Sequence, residues 1–238
     1  MTKEIFYGIG VGPGDSGYLT KTAIDALAAS QVVCVPKSKA ERESVALQTA
    51  QPYLAAEVLI EELLFPMTRD TVVLAQHWRE AASRVAQLLT EHSVVSFLTI
   101  GDPLLYSTFS YLLQFLRKLT PTVKTEIIPG ISSINAAAAL LQVPLLENDE
   151  RMAVIPVPVG QEEFVELTRY VDTVVLLKVS AAYDETLALL EKTGFNQEVY
   201  LVSRVGGKDE FWTNDPFAYR GQAVDYLSLL IAKRRRNG

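Results

Sequence analysis

Sulfur and imidazole are scarce in this chain: one cysteine and two histidines stand among 238 residues. A lone Cys34 permits no internal disulfide and no thiolate cage for a metal. Set within Val32-Val33-Cys34-Val35, it reads as a small buried hydrophobe rather than a nucleophile. His77 and His92 have no partners at metal-ligand spacing, so no metal site is expected. Positive charge is not in excess either, since 22 Lys and Arg against 28 Asp and Glu leave a net charge of −6. That is the reverse of the basic face a nucleic-acid binder carries. Long apolar runs are also missing, so no segment is expected to span a bilayer, and no leader has the basic-then-apolar form of a signal peptide. The expected setting is cytoplasmic, with neither nucleic acid nor membrane as partner. The basic tail Lys233-Arg234-Arg235-Arg236 reads as a solubilising terminal cluster. A P-loop and a G-x-S-x-G nucleophile elbow are both absent.

What is present is a strand-helix alternation. Apolar residues at 49 % and charged ones at 21 % are those of a globular protein with a substantial core. Strands are expected at 5–9, 32–35, 58–64 (an edge strand) and 94–99, with helices at 19–30, 44–50, 71–90 and 109–119. This βαβα order implies a mostly parallel sheet covered on both faces. After Thr120-Pro121 the pattern loosens. Strands at 125–128, 152–156, 173–177, 198–202 and 223–231 alternate irregularly with helices at 131–141, 162–170 and 183–193, which reads as a mixed sheet. The fold class is therefore α/β, with an N-terminal domain over 1–120 and a C-terminal domain over 121–238.

Glycine marks the chemistry. Gly8-Ile9-Gly10-Val11-Gly12-Pro13-Gly14-Asp15 follows the first strand, and such a density of glycine lets a ligand or another backbone approach bare main chain. Within it, Gly12-Pro13-Gly14-Asp15-Ser16-Gly17 matches the dinucleotide fingerprint G-x-G-x-x-G. Two details count against a nicotinamide cofactor and an oxidoreductase. Pro13 removes an amide that would face a pyrophosphate, and the second strand ends Val35-Pro36-Lys37 without the acid that holds a ribose. Two further loops, Thr99-Ile100-Gly101-Asp102-Pro103-Leu104-Leu105-Tyr106-Ser107 and Pro129-Gly130-Ile131-Ser132-Ser133, end successive strands.

In order and spacing, these three blocks resemble the tetrapyrrole methylase family, which uses S-adenosylmethionine and releases S-adenosylhomocysteine. Pro144-Leu145, Asn148-Asp149-Glu150 and Asp225-Tyr226-Leu227-Ser228-Leu229-Leu230-Ile231 resemble the branch that methylates C-20 of precorrin-2 or cobalt-precorrin-2 in cobalamin biosynthesis. Other members act on another corrin position, on diphthine or on ribosomal RNA, and these stand as alternatives. The resemblance implies a homodimer whose active site lies in a cleft between the two domains. Carried over by position, Pro13, Gly101, Asp102, Leu105, Ser132 and Ser133 hold the cofactor, with Val205 and Ser228 as late contacts. Lys178 falls where relatives often carry a methionine over the adenine.

Methyl transfer from a sulfonium needs alignment more than acids and bases, which fits a site rich in Gly, Pro and Ser. Tyr106 is the expected catalytic side chain, with Asp102 or water as other proton acceptors. An anionic tetrapyrrole calls for cations, for which Arg151, Arg204 and Lys208, with Lys178, are the candidates near strand ends.

Overall fold

Strand segments such as Val32-Val33-Cys34-Val35 are apolar on both faces of the pleat and so require cover on both sides. The computed structural model, which describes residues 4–38, 44–68 and 70–234, supplies that cover. Its first unit, Met1–Ser132, holds β1 (Ile5–Gly10), α1 (Lys21–Ala29), β2 (Val32–Lys37), α2 (Val45–Ala50), β3 (Leu59–Leu64), α3 (Thr71–Glu91), β4 (Val94–Thr99), α4 (Phe109–Leu119) and β5 (Lys124–Ile128). The five strands form one sheet in the order β3-β2-β4-β1-β5. Every pairing within it is parallel. Against one face pack Ala23, Leu27, Ala46 and Ala50 of α1 and α2, meeting Ile9, Val33, Val35 and Leu98. Against the other pack Ala82, Val85, Leu112 and Leu116 of α3 and α4, meeting Phe6, Cys34, Val95 and Phe97.

The first three helices start where short polar side chains satisfy the first free amides. Thr20 accepts from Ala23 N at 3.1 Å, Ser44 from Leu47 N at 3.3 Å, and Asp70 from the amides of Val72 and Val73 at 2.9 and 3.2 Å. Burial pushes the Cys34 thiol up to about 12, so it is the inert core residue its sequence context implies.

The second unit, Ser133–Gly238, contains α5 (Ser133–Leu141), β6 (Met152–Pro156), α6 (Gln161–Thr168), β7 (Thr173–Leu177), α7 (Tyr183–Thr193), β8 (Glu198–Ser203), β9 (Phe211–Thr213) and β10 (Ser228–Lys233). Its sheet runs β6-β7-β10-β8-β9 and is mixed: β6 and β7 are parallel, while β10 is antiparallel to both β7 and β8. Phe164, Leu187 and Leu190 of α6 and α7 are buried against Ile155, Val174, Leu176, Leu201 and Leu230.

Three expectations are corrected. The domain boundary falls after Ser132 rather than at 120, because β5 pairs in parallel with β1 and completes the first sheet. The last strand begins at Ser228, not 223, because Asp225 turns the chain by accepting from Leu227 N at 2.8 Å. The basic tail is not a uniform solubilising cluster. Lys233 is 7 % exposed and donates to the Pro144 carbonyl at 2.6 Å, while Arg234 stacks on Phe195 and donates to Thr193 O. Arg235 and Arg236 lie outside the described residues. Among the described residues no helix is long and apolar enough to cross a membrane, and no cluster of three or more metal-ligating side chains occurs.

Candidate functional site

Parallel register brings the three glycine loops to one edge of the first sheet. Gly10 lies level with Thr99, and Ile9 with Ile128, so β4, β1 and β5 end side by side. From β1 the chain crosses β4 to reach β2, and from β4 it crosses β1 to reach β5. Neighbouring strands whose connections depart in opposite directions leave a crevice at their carboxyl ends.

In that crevice main chain touches main chain. Gly101 N donates to Gly12 O at 2.8 Å, and Gly12 N to Gly101 O at 3.4 Å. A Cβ on Gly10 would stand 2.5 Å from Gly101 O and 2.6 Å from Gly130 N, and one on Gly130 would stand 2.0 Å from Gly101 O. Neither position tolerates a side chain without moving backbone. Gly101 adopts φ +69, with open space where its side chain would be.

Side chains brace the loops from behind. Asp102 accepts from Leu104 N at 2.8 Å through one oxygen and from Gly130 N at 3.1 Å through the other, tying the second loop to the third. Both oxygens thus hold amides, which describes a brace better than a proton acceptor. The second loop is fastened at its far end too, where buried Ser107 Oγ lies 2.9 Å from Thr99 Oγ1 and accepts from Phe109 N. Thr49 Oγ1 donates to Gly14 O at 3.1 Å and anchors the first loop to α2. Pro13 is buried, Leu104, Leu105 and Tyr106 are exposed, and Ser132 is half-buried at the end of the third loop. Pro13, Gly101, Asp102, Leu105 and Ser132 therefore stand on one edge of this unit. Gly10 and Gly130 matter as much, but no local pattern reveals that the two meet.

In the second unit, β6, β7 and β8 run the same way and end on one edge, where β10 begins. Lys178 follows β7 at φ 60 and Arg204 follows β8 at φ 48, both in the left-handed region. Between them stands Ser228, opposite Ser203 and 4 % exposed, its hydroxyl without a hydrogen-bond partner. Buried Val205 and exposed Lys208 share this edge in the loop after β8. Arg204 is not an open cation: its guanidinium lies 2.8 Å from Asp225. Arg151 does not join the group. It precedes β6 at the opposite end of the sheet, roughly 17 Å away for a five-residue strand. Ser133 is the first residue of α5.

Residues 6–217 match the family described as Tetrapyrrole (Corrin/Porphyrin) Methylases. The chain belongs to that family. As a tetrapyrrole methylase it is a C-methyltransferase, and its relatives bear this out along the whole length. The probable cobalt-precorrin-2 C(20)-methyltransferase of Methanocaldococcus jannaschii is 36 % identical over 98 % of this chain and 97 % of its own. The cobalt-precorrin-2 C(20)-methyltransferase of Salmonella typhimurium is 28 % identical over 96 % of each. Among solved structures, a cobalt precorrin-4 methyltransferase superposes with a TM-score of 0.75 at 20 % identity, covering 96 % of this chain and 94 % of that one. A uroporphyrin-III C-methyltransferase of Thermus thermophilus, complexed with S-adenosylhomocysteine, gives 0.69 at 19 % identity, covering 96 % of each. The two structures speak for the fold of this methylase.

The dinucleotide alternative fails on geometry. After Gly12-Pro13-Gly14 comes a turn over Ser16–Tyr18, and α1 begins only at Lys21, its Ala23 amide already taken by Thr20. The helix whose N-terminus the fingerprint would aim at a pyrophosphate therefore does not start within Gly12–Gly17.

Proposed function

We propose that this methylase transfers a methyl group from S-adenosylmethionine to C-20 of precorrin-2 or cobalt-precorrin-2 in cobalamin biosynthesis, releasing S-adenosylhomocysteine. One observation carries the reading: Gly10, Gly101 and Gly130 meet main chain to main chain at the carboxyl edge of the parallel sheet, a cradle that opens where a Gly101 side chain would stand. Full-length similarity to the two C(20)-methyltransferases selects the acceptor position.

The residues suit the donor. Open space where a Gly101 side chain would stand lets a donor approach the main chain there, and the partnerless Ser228 hydroxyl adds a buried polar group awaiting a bond. In the first unit Pro13, Gly101, Asp102, Leu105 and Ser132 are proposed to hold it. In the second, the proposed contacts are Ser133, Lys178, Val205 and Ser228. When bound, S-adenosylmethionine supplies a methyl group on cationic sulfur, already activated toward an electron-rich ring carbon. The chain's task is then to hold two partners in line, a contribution of about 7–11 kcal/mol when alignment is good. Asp102 serves it by fixing the spacing of the second and third loops. Tyr106 is proposed to relay the proton that the ring carbon loses, its hydroxyl oxygen accepting that proton as its own O–H proton passes to water. Lys208 and Arg204 are proposed to meet substrate carboxylates, Arg204 by exchanging Asp225 for one of them. The protein is proposed to act as a cytoplasmic homodimer without nucleic-acid or membrane partners.

Incubation with methyl-labelled S-adenosylmethionine and either metal-free or cobalt-loaded precorrin-2 tests the proposal by mass and carbon NMR. One added methyl, resonating at C-20, is the expected result. A methyl at another ring position, or no transfer to either substrate, contradicts it.

A further inference from the structure

Leu104, Leu105 and Tyr106 are three consecutive apolar side chains, 61 %, 39 % and 51 % exposed, on a loop immobilised at both ends. A run of exposed apolar residues on an anchored loop is a liability unless something covers it. The anchoring is strong. Asp102 grips Leu104 N, Pro103 is buried, and Ser107 ties back to Thr99 and Phe109. The backbone is strained as well, since Tyr106 adopts φ 53, a region disfavoured for a bulky side chain. Strain retained beside a cradle of bare main chain indicates a presented surface rather than a slack loop.

We infer that Leu104 and Tyr106 form an apolar platform for the face of the tetrapyrrole ring, setting specificity for a flat macrocycle rimmed by carboxylates. The inference rests on the proposed reaction and deepens it. The platform begins three residues after Gly101, so a ring lying on it is within reach of a donor held by the cradle. Leu105, between the two, remains with the cofactor. The platform supplies desolvated contact, while charged groups elsewhere address the carboxylates. A leucine or tyrosine half-covered by the ring is worth roughly a ten-fold change in affinity on its apolar area.

The test uses Leu104→Ser, Tyr106→Ser and Tyr106→Phe in the full chain. Steady-state kinetics, equilibrium binding of precorrin-2 followed by absorbance, and calorimetry with S-adenosylhomocysteine are read together. Leu104→Ser and Tyr106→Ser should each raise the precorrin-2 KM and dissociation constant about ten-fold, with S-adenosylhomocysteine affinity within two-fold of the parent. Tyr106→Phe, which keeps the ring, should restore the KM whatever it does to kcat. The platform is overturned if both serine variants bind precorrin-2 as the parent does, or if the two ligands weaken together. Dissociation of an oligomer in sedimentation would also overturn it, by assigning the patch to contact between copies. A parent protein that binds precorrin-2 without methylating it would defeat the proposed reaction and leave the platform standing.

Discussion

Asp102 shows how a side chain quoted in a binding motif can act through backbone. Its two oxygens accept from Leu104 N and Gly130 N, so it reaches a ligand only through the loops it spaces. Asp102→Asn places an amide NH2 against one of those N–H donors. It should weaken S-adenosylhomocysteine about ten-fold in calorimetry, with the thermal midpoint lowered by only a few degrees. Unchanged affinity would show that the spacing does not depend on the brace.

Two buried acids set an alkaline limit on stability. Burial pushes the Cys34 thiol from 9.0 and the Tyr183 phenol from 10.0, each to about 12, with Tyr183 donating to Pro216 O at 2.8 Å. Both groups hold their protons more tightly when folded. Their contribution is therefore complete below about pH 9 and is lost as pH climbs toward 12. Denaturant midpoints should fall across that window, and Cys34→Ala with Tyr183→Phe should flatten the fall. A midpoint independent of pH from 9 to 11 in the parent would contradict it.

Among elements, the loop after α5 is held from a distance. Lys233 at the end of β10 lies 3.7 Å from Glu150 and donates to Pro144 O, and Glu150 also accepts from Glu147 N at 2.9 Å. Removing one partner of a buried pair strands the other charge, so Lys233→Ala should cost about 3–5 kcal/mol in chemical denaturation. A loss below 1 kcal/mol would mean that the pair is solvated.

Legibility at this scale followed chain distance. The parallel strands and their helices were readable because apolar periodicity is a local signal. The membership of β5 was not readable, since its partner β1 lies over a hundred residues upstream while the visible break, Thr120-Pro121, stands directly before it. β9 has three residues, too few for any period to show. The site divides in the same way. Glycine loops announce themselves, but the Gly10–Gly130 approach, the Arg204–Asp225 pair and the remoteness of Arg151 are facts of pairing that no local stretch encodes.

For the whole molecule, an acidic chain acting on an acidic substrate leaves recognition to a few placed groups and the apolar platform rather than to overall field. The proposed reaction turns on the glycine cradle as the seat of the methyl donor. Calorimetry with S-adenosylhomocysteine, set beside NADH, on the parent and on Gly130→Ala tests this most directly. Saturable heat with S-adenosylhomocysteine alone is expected, and its loss in Gly130→Ala, where the new Cβ strikes Gly101 O in a chain that still unfolds cooperatively. Silence from the parent, or undiminished binding in the variant, would contradict it.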